Sequence, residues 1–405
     1  MLHIDGNSNL DQPTGRRENF VPLHTTDVVE YLALHPDLPA DEVKSFREVS
    51  GLVLSLLHHL YRRRHEELTY VYAPLDPDRD KLLRTVPTRK SRDELAEDVY
   101  ERTRDTLQRA NYHRLSPRDI QTALAAASKW GVRTRIRFSM MRRLEVHARG
   151  LVEGEREFRD WRKLFKKQTI KVPLYQRLVV VFRVSDEMTT DQFDPRRVYM
   201  RMFKNVPKQD IDMMLPSPGI QMSWFDHSKI VVPSVYAAAI TMWKFLRNVV
   251  LLAFFGVFKT IGMMLLIFFA IGFGIKSMFT YRTNTQRRYM LNMTQSLYYQ
   301  NLDNNAGVLF RLLEEGEQQA ACEAILAFFV TSVVFKNRSI SSLEEIDAEC
   351  ERILLEATDM HIDFDVERTA RSLLRLGLLQ LDENGWSALS VQEAARHLTW
   401  GNGFA

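Results

Sequence analysis

The densest run of side chains with chemical potential is LDNNAG, in which Asp303, Asn304 and Asn305 stand directly before an apolar stretch. Carboxylate and amide oxygens at such a place can accept hydrogen bonds from the free N–H groups of a helix's first turn. The same groups can instead meet a partner or an ion near a membrane face, and both readings stay open. Arg311 and Glu315 follow at a spacing of four, which pairs them on one helix face. A second candidate is DPDRDK, where Asp76, Asp78 and Asp80 alternate like the start of a calcium loop. Lys81 occupies the place of the glycine that such a loop needs, and Pro87 the place of its last glutamate, so a turn is expected. His58, His59 and His65 cluster without the spacing of a zinc helix. There is no nucleophile elbow, phosphate-binding loop or dinucleotide fingerprint. No cofactor or metal is therefore expected, and no catalytic constellation is strong enough to name an enzyme.

These residues need elements to hold them. Residues 1–20 are polar and are read as a flexible terminus, and 21–130 as a mainly helical domain. Within it, 43–64 carries apolar residues at helical spacing, and TYVYAPL (69–75) reads as a strand or extended piece. Ser91 with Glu94 forms a capping box for a helix over 91–108, and Ser116-Pro117 starts another. Residues 131–230 read as a basic α+β domain, with strands over 144–150, 176–185 and 196–203, a short helix start at 207–214, and further strands at 220–225 and 229–233. Residues 281–338 form a helical segment broken at LDNNAG. Residues 339–405 read helix, helix, hairpin, helix, like a winged helix. The second of those helices would offer Arg368, Arg371 and Arg375 to a nucleic acid, but 301–405 is strongly acidic, and phosphate binding needs local positive charge. Protein interaction or self-association is the preferred role for that end. Cys322 and Cys350 are the two cysteines, and nothing indicates a disulfide scaffold.

Residues 249–275 are apolar apart from Lys259. About 20 apolar residues suffice to cross about 30 Å of hydrocarbon. The expectation is a transmembrane region over 231–280. One span would bury Lys259. A hairpin of helices about 234–257 and 261–280 would place it at an interface, at the cost of enclosing Lys244 and Arg247. The hairpin is preferred, because it puts both water-soluble parts on the positive, cytoplasmic side. The chain carries a net charge of +4, with its positive excess around the apolar run. Lys244, Arg247, Lys276, Arg282, Arg287 and Arg288 are candidate contacts for anionic lipid headgroups. Arg133, Arg135, Arg137, Arg142 and Arg143, with Lys163, Lys166, Lys167 and Lys171, form two more basic patches, read equally well as a solvated face or a lipid-facing one.

The run YYQNLDNNAGVLFRLLEEGEQQ (298–319) resembles a signature of the DUF3754 family, membrane proteins whose best-known member is a transmembrane protein of animal mitochondria. ENFVPL (18–23), RLVVVFR (177–183), VYMRMFKNVPKQDIDMMLP (198–216), KIVVP (229–233) and HIDFDVERTARSLLRLGLL (361–379) are similar to its other blocks. The resemblance implies membrane residence with two membrane helices and no known reaction. The polar N-terminus suggests a bacterial relative. The fold class expected from all of this is a membrane-anchored α+β protein: a helical N-terminal part, a small α+β region, a transmembrane helical hairpin, and a C-terminal helical domain with a winged-helix-like end. The expected function is an interaction or scaffold module in a bacterial inner membrane. Its partners would be the lipid bilayer and a protein or a second copy of itself, not nucleic acid. An oligomeric transport or channel component and a membrane-associated enzyme are the alternatives.

Overall fold

The computed structural model describes residues 17–79, 90–127, 133–136, 140–159, 167–186, 193–215, 218–221, 268, 272, 276, 298–336, 340–382 and 385–400. The chain divides into two compact units: one formed by 1–115, 139–208 and 302–405, the other by 116–138 and 209–301.

The larger unit begins with helices α1 (Thr25–Ala33), α2 (Val43–Tyr72) and α3 (Arg92–Arg109). The sequence places α3 well. The Ser91 hydroxyl accepts from the Glu94 N–H, and the Glu94 carboxylate accepts from the Ser91 N–H, as the capping box requires. Helix α2 runs past its expected end. Leu68 and Tyr72 continue the apolar stripe of the helix and are buried, so core packing overrides the strand preference of TYVYAPL.

Strand β1 (His113–Arg114) then pairs with β3 (Met141–Arg159), which forms a long antiparallel hairpin with β4 (Lys167–Val184). Strand β5 (Tyr199–Pro207) pairs with β4, and β7 (Asn301–Asn304) closes the five-stranded order β1-β3-β4-β5-β7. Alternation puts Arg143, Glu145, His147 and Arg149 on one face of β3. In the smaller unit, helix α4 (Pro117–Ala127) packs against the short helix α5 (Ile211–Met214), and β2 (Arg133–Ile136) pairs with β6 (Pro218–Gln221).

Helix α6 (Ala306–Phe329) is the spine of the larger unit and continues into a π-helical turn over Val330–Val334. Its first half contributes Val308, Leu309, Leu312 and Leu313 to a core shared with α2, α3, β4 and β5. Its second half contributes residues from Ala321 to Val330 to another core. That second core also holds α1, the start of α2, and the C-terminal elements α7 (Leu343–Thr358), α8 (Val366–Arg375), the hairpin β8 (Leu379–Asp382) and β9 (Gly385–Ala388), and α9 (Val391–Trp400). Gly316 makes the α2–α6 approach close: a Cβ there would meet the Tyr61 ring at 3.2 Å.

The fold corrects the membrane-anchored architecture expected above. It is a mixed structure of helices and antiparallel sheet, and among the described residues no helix is long and apolar enough to cross a membrane. The expected hairpin of helices 234–257 and 261–280 lies outside the described residues, apart from Phe268, Gly272 and Lys276. An apolar run shows that a segment needs cover from water; it does not by itself fix what supplies the cover.

Candidate functional site

The candidate site is built on α6, with polar anchors at its start, at Glu315 and at Glu323. The first is LDNNAG. Asn305 sits at φ 49°, buried, with its N–H donating to Met200 O at 2.8 Å. Its Oδ1 accepts from the Met200 N–H at 3.1 Å, and its Nδ2 donates to Asp78 Oδ2 at 2.6 Å. The side chain thus behaves as one more rung between β5 and β7, not as a cap, and no side-chain cap bond forms on α6. Asp303 accepts from Arg311, so Arg311 turns back to the loop and not forward to Glu315. Asn304 alone of the three is exposed.

The turn beside it explains the aspartates. Asp76 Oδ1 accepts from the Asp78 N–H at 3.0 Å, a local turn bond. Burial pushes the Asp76 carboxyl above its ordinary value. Among the described residues no group of three or more His, Cys, Asp or Glu is placed to hold a metal. Asp80 and residues 81–89 lie outside those residues.

The second anchor is Glu315, which meets Arg149 Nη2 at 3.0 Å and Arg177 Nε at 3.3 Å and accepts from the Tyr112 hydroxyl at 2.6 Å. Arg149 also lies over the rings of Phe20 and Tyr112. A cavity of about 250 Å³ borders this cluster, lined by residues 20–24, Arg149, Arg177, Glu315, Gln318 and Gln319. Gln319 fixes the N-terminal segment by accepting from the Val21 N–H and donating to Val21 O.

The third anchor is Glu323, buried and bound by Arg368 Nη2 at 2.8 Å and by Asn111 Nδ2 at 2.9 Å. Burial pushes its carboxyl above the ordinary value, and the Arg368 guanidinium opposes the shift. Arg368 is one of the three arginines that the second helix of a winged helix would offer to a nucleic acid. Here it donates inward to Glu323, Asn111 and Gln108 O. Arg371 donates to Glu367 O.

Beside the anchors lies a groove of about 500 Å³, whose lining includes Leu54, Phe310 and Leu313 with His24, His58, His65, Glu314 and Glu317. His58 Nδ1 is 2.9 Å from Glu317 Oε1, and Phe310 is 57% exposed. This groove was not legible in the sequence, because it joins residues more than 200 positions apart.

The basic patches are partly consumed. Arg142 pairs with Asp93, Arg143 with Glu97 and Glu145, and Lys171 with Glu153. Lys276 is an exposed helical residue; Lys244, Arg247, Arg282, Arg287 and Arg288 lie outside the described residues. The cysteines are unpaired and buried. Burial pushes the Cys322 thiol up to about 12 and Cys350 well above its ordinary value, so neither is an activated nucleophile.

One acidic group is held at a cost. Asp347 is partly buried near Glu351, Asp363 and Asp365, with Arg17 as the nearby cation, and burial together with the acids pushes it up to about 6. A carboxyl raised on folding favours the folded state when protonated. That contribution is full below 3.8 and disappears as the pH rises through about 6. Asp347→Asn should therefore raise the Tm at pH 7 and flatten the Tm profile between pH 4 and 6. Parallel profiles for variant and parent would sink the assignment.

Fold and site define a class: a mixed helix-and-sheet protein whose strongest polar groups cross-link segments around one central helix. Residues 175–307 match the family described as "Protein of unknown function (DUF3754)", which supports membership in that family. The match runs from β4 to the first turn of α6 and so includes Asp303, Asn304 and Asn305. No curated protein and no solved structure matches the chain.

Proposed function

We propose that the protein is an interaction module, and that its groove beside α6 receives a segment of a protein partner. The observation that carries this reading is the groove itself: Leu54 and Phe310 are large apolar side chains left partly exposed, with Glu314 and Glu317 beside them. Exposed apolar side chains grouped in a concavity favour occupation by a partner's apolar side chain. Carboxylates beside them select a neighbouring lysine or arginine on that partner. By contrast, the buried ion pairs at Glu315 and Glu323 are already satisfied by the protein's own groups, which favours a structural part for them over catalysis.

A lipid surface is the second partner we propose, on sequence grounds: residues 249–275 hold a single charge, and Lys244, Arg247, Lys276, Arg282, Arg287 and Arg288 flank them. Basic side chains near an anionic surface contribute about 1 kcal/mol each. The place of action on this reading is a membrane surface.

The test is a photo-crosslinking residue at position 310 of the full chain in its native cells, with the product identified by mass spectrometry. The reading predicts a discrete adduct with another protein, lost in Leu54→Asp while the Tm is retained. Adducts only between copies of this chain would replace the partner with self-association. No adduct at all would remove the groove from the function.

A further inference from the structure

A cluster apart from the groove lies inside the larger unit, between α3 and the sheet. Tyr100, Thr103 and Arg104 stand at positions i, i+3 and i+4 of α3 and so share one helix face. On β3, Glu145 is buried and accepts from Arg104 Nη2 at 2.7 Å and Arg143 Nη2 at 2.9 Å, with His147 Nε2 at 3.4 Å. The Arg143 guanidinium lies 4.1 Å from the centre of the Tyr100 ring. Burial pushes Glu145 upward, but the bonds from His147, Arg104 and Arg143 outweigh it and hold the carboxyl well below its ordinary range.

On these α3 and β3 residues, four buried polar atoms lack a protein partner: Tyr100 Oη, Thr103 Oγ1, Arg104 Nε and His147 Nδ1. The side chains of Tyr100, Thr103 and His147 are 2%, 1% and 2% exposed. Single orphans occur in folded proteins, but native interiors satisfy the great majority of such groups, directly or through water. Tyr100, Arg104 and His147 each interact with Glu145, and Thr103 lies on the same buried face of α3 as Tyr100 and Arg104, so the four orphans point to a shared ligand. Each charge of the cluster already has an opposite partner: Glu145 has Arg104 and Arg143, Glu97 has Arg143, and Asp93 has Arg142 and Arg183. An added ion would find no unpaired charge among these residues, which favours a neutral ligand. It must accept from Arg104 Nε, which only donates, and it can donate to or accept from the two hydroxyls, which do both.

We propose that ordered water is bound between α3 and β3, bridging Tyr100 Oη, Thr103 Oγ1, Arg104 Nε and His147 Nδ1 around Glu145. A buried water with two to four polar partners is a structural component, costly to remove. It would make this network a fixed part of the α3–sheet interface, and α3 would depend on hydration as well as on apolar contact.

The test uses the full chain. A crystal structure at high resolution should show a density peak within hydrogen-bond distance of at least two of the four atoms. In parallel, Tyr100→Phe and Thr103→Val should each lower the Tm by about 2 °C, the size expected for losing one satisfied hydroxyl in a chain of this length. Tyr112→Phe, which removes a hydroxyl bound directly to Glu315, calibrates that shift. The inference is overturned by a map with no such peak, or by the two variants leaving the Tm unchanged or raised, as deleting a truly unpaired group would do.

Discussion

Arg368→Met should destabilise the protein by about 3–5 kcal/mol, the range for removing one partner of a buried ion pair. Arg368 reaches from α8 to Glu323 on α6, and both also engage Asn111 at the end of α3, so one substitution loosens three segments. The loss comes mainly from stranding the Glu323 carboxylate with Asn111 as its remaining donor. Glu323→Gln/Arg368→Met should therefore recover a large part of it, since the amide needs no counter-charge. Denaturant unfolding of the four members of this cycle measures the coupling.

The pH dependence gives an independent check. Glu323 is already pushed above its ordinary value of 4.5 by burial, with Arg368 opposing. Removing Arg368 lets burial act alone and raises the folded-state value further. A carboxyl raised on folding stabilises fully below 4.5 and loses that contribution as the pH rises through its folded value. The deficit of Arg368→Met should thus shrink on acidification toward pH 4.5. A deficit constant from pH 4.5 to 8 would mean that lost packing, and not a stranded charge, is responsible.

The same residues show what sequence can and cannot supply. Ser91 with Glu94 announced the start of α3, because a capping box is made by residues three apart. The strand over 144–150 falls within β3, and that over 176–185 falls within β4 but for its last residue, since β-branched residues and alternation are also local signals. The pairings were not legible. Arg311 and Glu315 are four apart, yet each finds a partner elsewhere: Arg311 takes Asp303, and Glu315 takes Arg149 and Arg177 from the sheet. Helical spacing only permits a contact, and a bidding carboxylate or guanidinium from another element decides it. TYVYAPL failed for a related reason: its β-branched and aromatic residues suit a strand, but Leu68 and Tyr72 fall on the buried stripe of α2. The apolar run at 249–275 stated a need for cover, and the step from there to a membrane-anchored fold was not carried by any described helix.

Asn305 supplies the other large expected effect, and it decides between the two readings of LDNNAG. Asn305→Ala should cost about 2–4 kcal/mol, combining roughly 1–3 kcal/mol for the Met200 N–H left unsatisfied in the interior with the strain of an ordinary residue at positive φ. Asn305→Gly loses the same side-chain bonds but tolerates φ 49°, so it should be less destabilised than the alanine variant, although its unfolded chain is freer. Asn305→Asp keeps the acceptor for Met200 but sets a second carboxylate against Asp78, now 2.6 Å from the Asn305 amide nitrogen. That variant should be weak at neutral pH and recover on acidification, once one of the two carboxyls takes a proton. Asn304→Ala, at the exposed position beside it, should leave the Tm unchanged. If instead Asn305→Ala unfolds like the parent, the motif is not a structural rung between β5 and β7, and its polar groups must be explained by a partner.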